Sequence, residues 1–443
     1  MAGARSGLTG TAERSATAES EAVSSGALAR GYGAGARILS IGIATTGVVT
    51  FAYFSLASHA LSDADYSHIS LLWAVLFVIV SVIYRPIEQL LSRTIAGRRA
   101  RGLEHGHPLR APLIIQAAFA TAFAIVALAL KGPITDGLFD GSGALFWVLF
   151  FAVLFYAASY FARGWLAGHQ WFALYGGLVF MEATSRCLFA LAVVLGIAEG
   201  QTAVALGMAA APLVSLVVVP LAFSRRTHVQ GAPRGADEEL DLARGGRFAL
   251  AVFCVMLAEQ TLINGAVLTA YATAASTPVA GYVFNVLLIA RAPLQLFQAI
   301  QGSLLPHLAG LHATEDSAEF HRAIRVTVLA IAGFAGAVAL GLLILGPFVM
   351  DVLFDDAAEY GRWGLAVVAL GMGAHLAAGT LNQAALARDH AHAAALAWIV
   401  SAALFVGWML TPIVDDELVR AEVGYLGAAS LLCGLLTIVY RRR

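Results

Sequence analysis

The amino-acid sequence predicts an all-α, polytopic membrane protein of about twelve transmembrane helices, arranged as two halves of six. Three observations lead there. The 443 residues are 59% hydrophobic and 12% charged, with a mean hydropathy of +0.79, far more apolar than a soluble domain. The apolar residues gather in stretches near the roughly 20 residues that a helix needs to cross a bilayer. The charge between those stretches changes sign systematically along the chain.

Residues 1–32, made of Ala, Gly, Ser, Thr, Arg and Glu, lack the apolar run of a signal peptide and read as a disordered cytoplasmic tail. Six apolar segments occupy 33–223, at about 36–58, 67–92, 111–130, 143–164, 171–197 and 202–223. A cytoplasmic linker, 224–243, leads to six more within 244–443, at about 245–271, 278–309, 324–348, 361–386, 391–412 and 421–440. With the N-terminus inside, Arg30, Arg98, Arg99, Arg163, Arg225, Arg226, Arg388 and Arg441 to Arg443 are cytoplasmic. The opposite loops keep Lys131, Arg362 and Arg420 and carry Asp63, Asp65, Asp136, Asp140, Asp415 and Asp416. This distribution obeys the positive-inside rule and puts both termini in the cytoplasm. An even number of spans per half gives both halves one orientation, so the repeat is a parallel one.

The second span turns charged before it ends, in I-Y-R-P-I-E-Q-L-L-S-R, residues 83–93. Arg85, Glu88, Gln89, Ser92 and Arg93 share one helical face, and a polar face inside a span normally looks into a bundle or a watery cavity. The eighth span echoes it with Arg291, Pro293, Gln295 and Gln298. Two arginines facing each other across a repeat axis suit a phosphate or pyrophosphate, because guanidinium groups bind such oxygens in pairs. The competing reading pairs Arg85 with Glu88 and lets Arg291 reach the membrane surface. Gln89, Gln295 and Gln298 suit sugar hydroxyls, and Pro86 and Pro293 suggest interrupted helices of the kind found in transporters.

Glu182 and Arg186 stand at i and i+4 on the fifth span, close enough to pair, either as a self-neutralising couple or as a cavity pair. Glu259 is an intramembrane carboxylate without a charged neighbour in sequence, a candidate to exchange a proton or cation, as is Glu182. His375 and Asn382 add a polar stripe on the tenth span, and Glu88 completes the cavity set. Cys187, Cys254 and Cys433 lie in apolar stretches and read as packing residues. No cofactor or metal site is expected, since the His105/His107 and His390/His392 pairs lack partners at ligand spacing. With no Walker A, G-x-S-x-G or dinucleotide motif, direct ATP hydrolysis is disfavoured and no enzyme activity is expected; no nucleic-acid partner is expected either, and the net charge of −1 says nothing about one. Asp63 and Asp65 form an acidic pair like that of polyprenyl-phosphate-sugar glycosyltransferases, but no external domain follows them.

Together, the six-plus-six spans, the arginine-marked starts at Arg37 and Arg247, the R-P-x-E-Q face and its echo, and the turn after Arg163 resemble the multidrug/oligosaccharidyl-lipid/polysaccharide exporter superfamily. More narrowly, they resemble the bacterial polysaccharide biosynthesis membrane proteins akin to O-antigen and capsule flippases. The resemblance implies two six-helix bundles around a central cavity, alternating access, and residence in the cytoplasmic membrane. It implies a polyprenyl-(pyro)phosphate-linked oligosaccharide held by Arg85, Arg186 and Arg291, membrane lipids as surroundings, and a polysaccharide polymerase or glycosyltransferases as partners. Three glutamates balance these three arginines, which leaves a cation-coupled multidrug exporter as the alternative, ahead of a glycosyltransferase or an envelope scaffold.

Overall fold

The computed structural model describes residues 42, 45–50, 52–57, 59–101, 109–217, 242–273, 304–353 and 361–441. The N-terminal tail, the linker as far as residue 241, and Arg291, Gln295 and Gln298 lie outside the described residues. What is described is helix after helix: α1 Asp63–Ala100, α2 Arg110–Ala129, α3 Lys131–Leu138, α4 Gly143–Gly168, α5 Phe172–Val194 and α6 Gly200–Ser215, then α7 Leu242–Thr273, α8 Ser317–Leu353, α9 Arg362–Ala387, α10 Ala391–Leu410 and α11 Glu417–Arg441. Residues 304–313 are also helical. Among the described residues, nine helices are long and apolar enough to cross a membrane: α1, α2, α4, α5 and α7 to α11. Of the other three expected spans, the first and eighth are described only in part, and the sixth appears as the 16-residue α6.

Several boundaries differ from expectation for local reasons. α1 runs 38 residues, well past the expected end near 92, because its arginines find partners: Arg99 donates to the His169 carbonyl at 2.6 Å and Arg93 pairs with Asp389. Pro86 lies inside this helix without ending it. The loop after α2 folds as the short helix α3. At the start of α1, the Ser62 hydroxyl accepts from the Asp65 backbone N–H and donates to the Asp65 carboxylate, a helix cap that gives one half of the expected acidic pair a local structural task.

Two large apolar cores form, and a smaller cluster joins α4 to α5 through Leu166, Phe172 and Leu178. One large core gathers Tyr53, Leu72, Leu76, Tyr84, Phe146 and Tyr156 from the first half of the sequence. The other gathers Val252, Leu365, Met372, Trp398 and Tyr425 from the second, and takes in Ile87 and Leu90 of α1 as well. α1 therefore sits on the seam, packed on α4 and α6 on one side and on α7 on the other. Apolar burial gives little net drive between helices already in lipid, so close contact through small residues matters more. Gly164 and Gly168 of α4 supply it: a Cβ at Gly164 would fall 2.9 Å from the Glu88 carbonyl oxygen, and one at Gly168 would fall 2.7 Å from Ile95 Cβ. The spacing is that of a small-xxx-small contact, and it presses α4 onto the polar stretch of α1.

Candidate functional site

The polar residues of the interior form three groups, one in each half and one on the seam. In the first half, Glu182 of α5 is 1% exposed and accepts hydrogen bonds from the Ser159 hydroxyl and the Arg163 guanidinium of α4, with the Ser215 hydroxyl of α6 at 3.4 Å. Ser159 and Arg163 are four residues apart, so one face of α4 presents both donors. Among the described residues the ion pair of Glu182 is therefore with Arg163, and the expected Glu182–Arg186 couple is replaced. Arg186 turns instead to the Tyr156 hydroxyl at 2.7 Å, with its guanidinium 4.8 Å from the Trp73 ring and 5.5 Å from the Phe77 ring. Aromatic faces attract a desolvated guanidinium strongly enough to hold it there. Arg163, counted as a cytoplasmic charge from the sequence, is a buried member of this network.

On the seam, Glu88 is buried and accepts from the Tyr175 hydroxyl at 2.7 Å. Arg85 is half-buried and is attracted by the Glu88 carboxylate on its own helix and by Glu259 across the seam on α7. The neighbouring Gln89 is also buried, and its amide oxygen has no hydrogen-bond partner. An unmet acceptor in a buried amide costs about 1–3 kcal/mol, which marks the place as one that a hydrogen-bond donor would stabilise.

In the second half, Glu259 is 5% exposed and its carboxylate stands 4.0 Å from His375 Nε2 on α9. That is too long for a direct hydrogen bond and leaves space for a proton or another small group between the two. His375 Nε2 has no hydrogen-bond partner, while Nδ1 lies 3.4 Å from the Tyr425 hydroxyl of α11. The Trp398 ring packs edge-on to the imidazole at 5.5 Å and its N–H donates to Asn382 at 3.1 Å. Glu259 and His375, separate readings in the sequence, are thus one cluster. Sequence reasoning also missed Glu422, buried on α11, and treated Arg420 as a loop charge although it is buried and donates to the Val414 and Met409 carbonyls. The signal for Glu422 was its place inside the last apolar segment.

At the end of the seam near residues 93 and 389, Asp389 in the α9–α10 turn pairs with Arg93 of α1 at 2.7 Å and with Arg244 of α7 at 2.5 Å. Asp389 adopts φ +65, a left-handed backbone conformation that turns the chain sharply at the helix end. Burial alone would raise its pKa, but the two guanidiniums outweigh that and hold it below the ordinary carboxylate value. Among the described residues no cluster of three or more His, Cys, Asp or Glu could hold a metal ion.

A seam-crossing bundle of apolar helices with buried, balanced charges defines a polytopic membrane protein, and its fold is that of MATE transporters, described as members of the MOP superfamily. An aspartate-to-asparagine mutant of the Vibrio cholerae MATE transporter VcmN superposes with a TM-score of 0.73 at 13% identity, covering 95% of this chain and 97% of that one. An outward-facing multidrug resistance MATE transporter gives 0.70 at 12% identity, with 93% and 96% covered. A MOP superfamily transporter from Pyrococcus furiosus, described as having a binding pocket of reverse polarity that suggests a different function, gives 0.67 at 13% identity, with 93% and 94% covered. No family model matches the sequence, and the comparison with curated proteins finds no match.

Proposed function

We propose that this chain is an alternating-access exporter whose substrate is a polyprenyl-(pyro)phosphate-linked oligosaccharide or a related cell-envelope polysaccharide precursor. The observation that carries the exporter reading is the likeness to MATE transporters over more than nine tenths of the chain. Support for an anionic, sugar-bearing substrate comes from α1, where Arg85 and the buried Gln89 with its unmet acceptor stand on the seam between the two cores. In this reading Arg85 and Arg291 hold the phosphate, with Arg186 as the reserve cation. Gln89, Gln295 and Gln298 meet the sugar, and the polyprenyl tail stays in lipid. The two halves, 33–223 and 244–443, rock about the seam, and the Arg93–Asp389–Arg244 bridge closes one end of it.

A second reading, a cation-coupled multidrug exporter, draws on a different observation: the buried Glu259–His375 pair and its unpartnered imidazole nitrogen. The MATE transporters are as compatible with it as with the first. The two part in a depletion experiment that follows the lipid-linked sugar pool and the surface polymer. If the first reading is right, a lipid-linked oligosaccharide accumulates inside and is cleared by the natural chain but not by Arg85→Ala with Arg291→Ala. An unchanged pool, together with loss of cationic-dye efflux in Glu259→Gln, would replace it with the second.

A further inference from the structure

We propose that the chain holds one acyl chain of an anionic phospholipid in an apolar pocket between α1, α2, α4 and α7, with the lipid phosphate at Lys131. The site is independent of which substrate is exported. The pocket has a volume of about 600 Å³, is open on one side, and is lined by apolar side chains, among them Ile79 of α1, Phe123 of α2, Phe150 of α4 and Phe253 of α7. Its walls belong to membrane-crossing helices, where the surrounding medium is hydrocarbon, and a dry apolar cavity takes an apolar occupant and not water.

Two features select the lipid. The first is height. From Val75 to Ile83 the α1 wall rises through eight residue steps, about 12 Å at 1.5 Å per residue, close to one leaflet's half of a hydrocarbon core about 30 Å thick. The pocket thus suits a chain confined to one leaflet and not a much longer polyprenyl tail. The second is charge at its mouth. α3 contributes Ile134 and Leu138 to the lining, and Lys131 lies on the same helical face, at i relative to i+3 and i+7. Lys131 is the single lysine of the chain and is exposed. Its ammonium stands 5.9 Å from the ring of Phe146, a pocket wall, and 5.0 Å from the ring of Trp147, a residue type that settles at headgroup level. It also occupies the first position of α3, where the helix dipole adds to its positive charge. An apolar slot one leaflet deep with a cation at its rim is complementary to an anionic amphiphile.

The slot is built across the seam. Phe119 of α2 and Phe253 of α7, both in its lining, meet at 5.8 Å between ring centres. A seated chain therefore fills a space that exists while α7 lies against α1 and α2.

The test is native mass spectrometry on the purified full-length chain, offered phosphatidylglycerol, phosphatidylcholine or undecaprenyl phosphate at equal concentration. The natural chain is expected to retain one phosphatidylglycerol in preference to phosphatidylcholine, and undecaprenyl phosphate, which can occupy the export cavity separately, should not displace it. Lys131→Gln should weaken phosphatidylglycerol retention about fivefold, the effect of one basic residue at an anionic headgroup, and leave phosphatidylcholine unchanged. Ala122→Trp fills the slot from α2, where Ala122 is exposed, and should abolish the adduct without lowering thermal stability; Leu257→Trp does so from α7 if the first variant does not fold. Equal retention of the two phospholipids, an adduct that survives the filled slot, or displacement by undecaprenyl phosphate would each overturn the proposal.

Discussion

Arg93 and Asp389 meet at 2.7 Å across the seam, and Arg244 joins the same carboxylate from α7, so one acidic residue in a turn ties α1, α7 and the α9–α10 corner together. The Asp389 side chain is 41% exposed, which keeps the value of the bridge to about 1 kcal/mol after screening. Asp389→Asn should therefore open this end about fivefold more often. A cysteine at Ser92, which is 3% exposed, reports it through the rate of labelling by a water-soluble maleimide in a chain without native cysteines. An unchanged rate would mean that the bridge does not limit opening.

The same carboxylate sets a pH dependence. Its pKa is held below the ordinary 3.8, so Asp389 stays ionised at every pH above that value. A depressed carboxylate pKa adds stability above the unfolded value and loses it as pH falls through the folded one. Taken as a ratio to the rate in Asp389→Asn, which cancels the thiol's own ionisation, the Ser92→Cys labelling rate should thus be constant between pH 5 and 8 and rise toward one only below about 3.8. A rise already at pH 6 would point to another group.

Gly164 brings α4 against the Glu88 backbone, and an added methyl would meet a carbonyl oxygen that cannot step aside. Gly164→Ala should cost about 1–3 kcal/mol, read as a lower melting temperature in detergent. Gly177→Ala is the control, since nothing stands within 4 Å of its added Cβ, and it should leave the melting temperature unchanged or slightly raised.

Much of this arrangement is legible in the sequence, and the rest is not for identifiable reasons. Hydropathy and charge sign give the all-α membrane class, because each span must satisfy its own backbone in lipid. The polar face of α1 is legible because its spacing is local. The partner of Glu182 is not: i and i+4 spacing favours Arg186, whereas Arg163 arrives from another helix and brings Ser159 with it. The Glu259–His375 cluster is hidden for the same reason, since two helices far apart in sequence supply it. Arg420 sits just outside the last apolar segment, where sequence alone does not separate a loop charge from a buried one, whereas Glu422 lies within that segment, where sequence reasoning simply missed it.

The Glu182–Arg163 pair is buried, so its two halves should behave unequally when separated. Removing one partner strands the other, at a cost of about 3–5 kcal/mol, whereas removing both spares that penalty. Glu182→Gln and Arg163→Met should each lower the melting temperature more than the double variant does. Additive losses would show that the two act independently.

Glu259 and His375 give the last prediction, and it separates a coupling role from a merely structural one. At 4.0 Å, with the imidazole Nε2 unpartnered, the pair has room for a proton or small cation to arrive and leave. If that exchange drives transport, Glu259→Gln should cut gradient-driven transport in proteoliposomes by tenfold or more, while exchange of substrate across the membrane without a gradient continues. A structural role predicts the opposite pattern, since a misfolded second core would lose both activities and lower the melting temperature as well. Gly371 supplies an independent check on the same cluster. A Cβ there would lie 2.8 Å from the Tyr425 ring, so Gly371→Ala should push Tyr425 off His375 and weaken driven transport in the same direction as Glu259→Gln, but less.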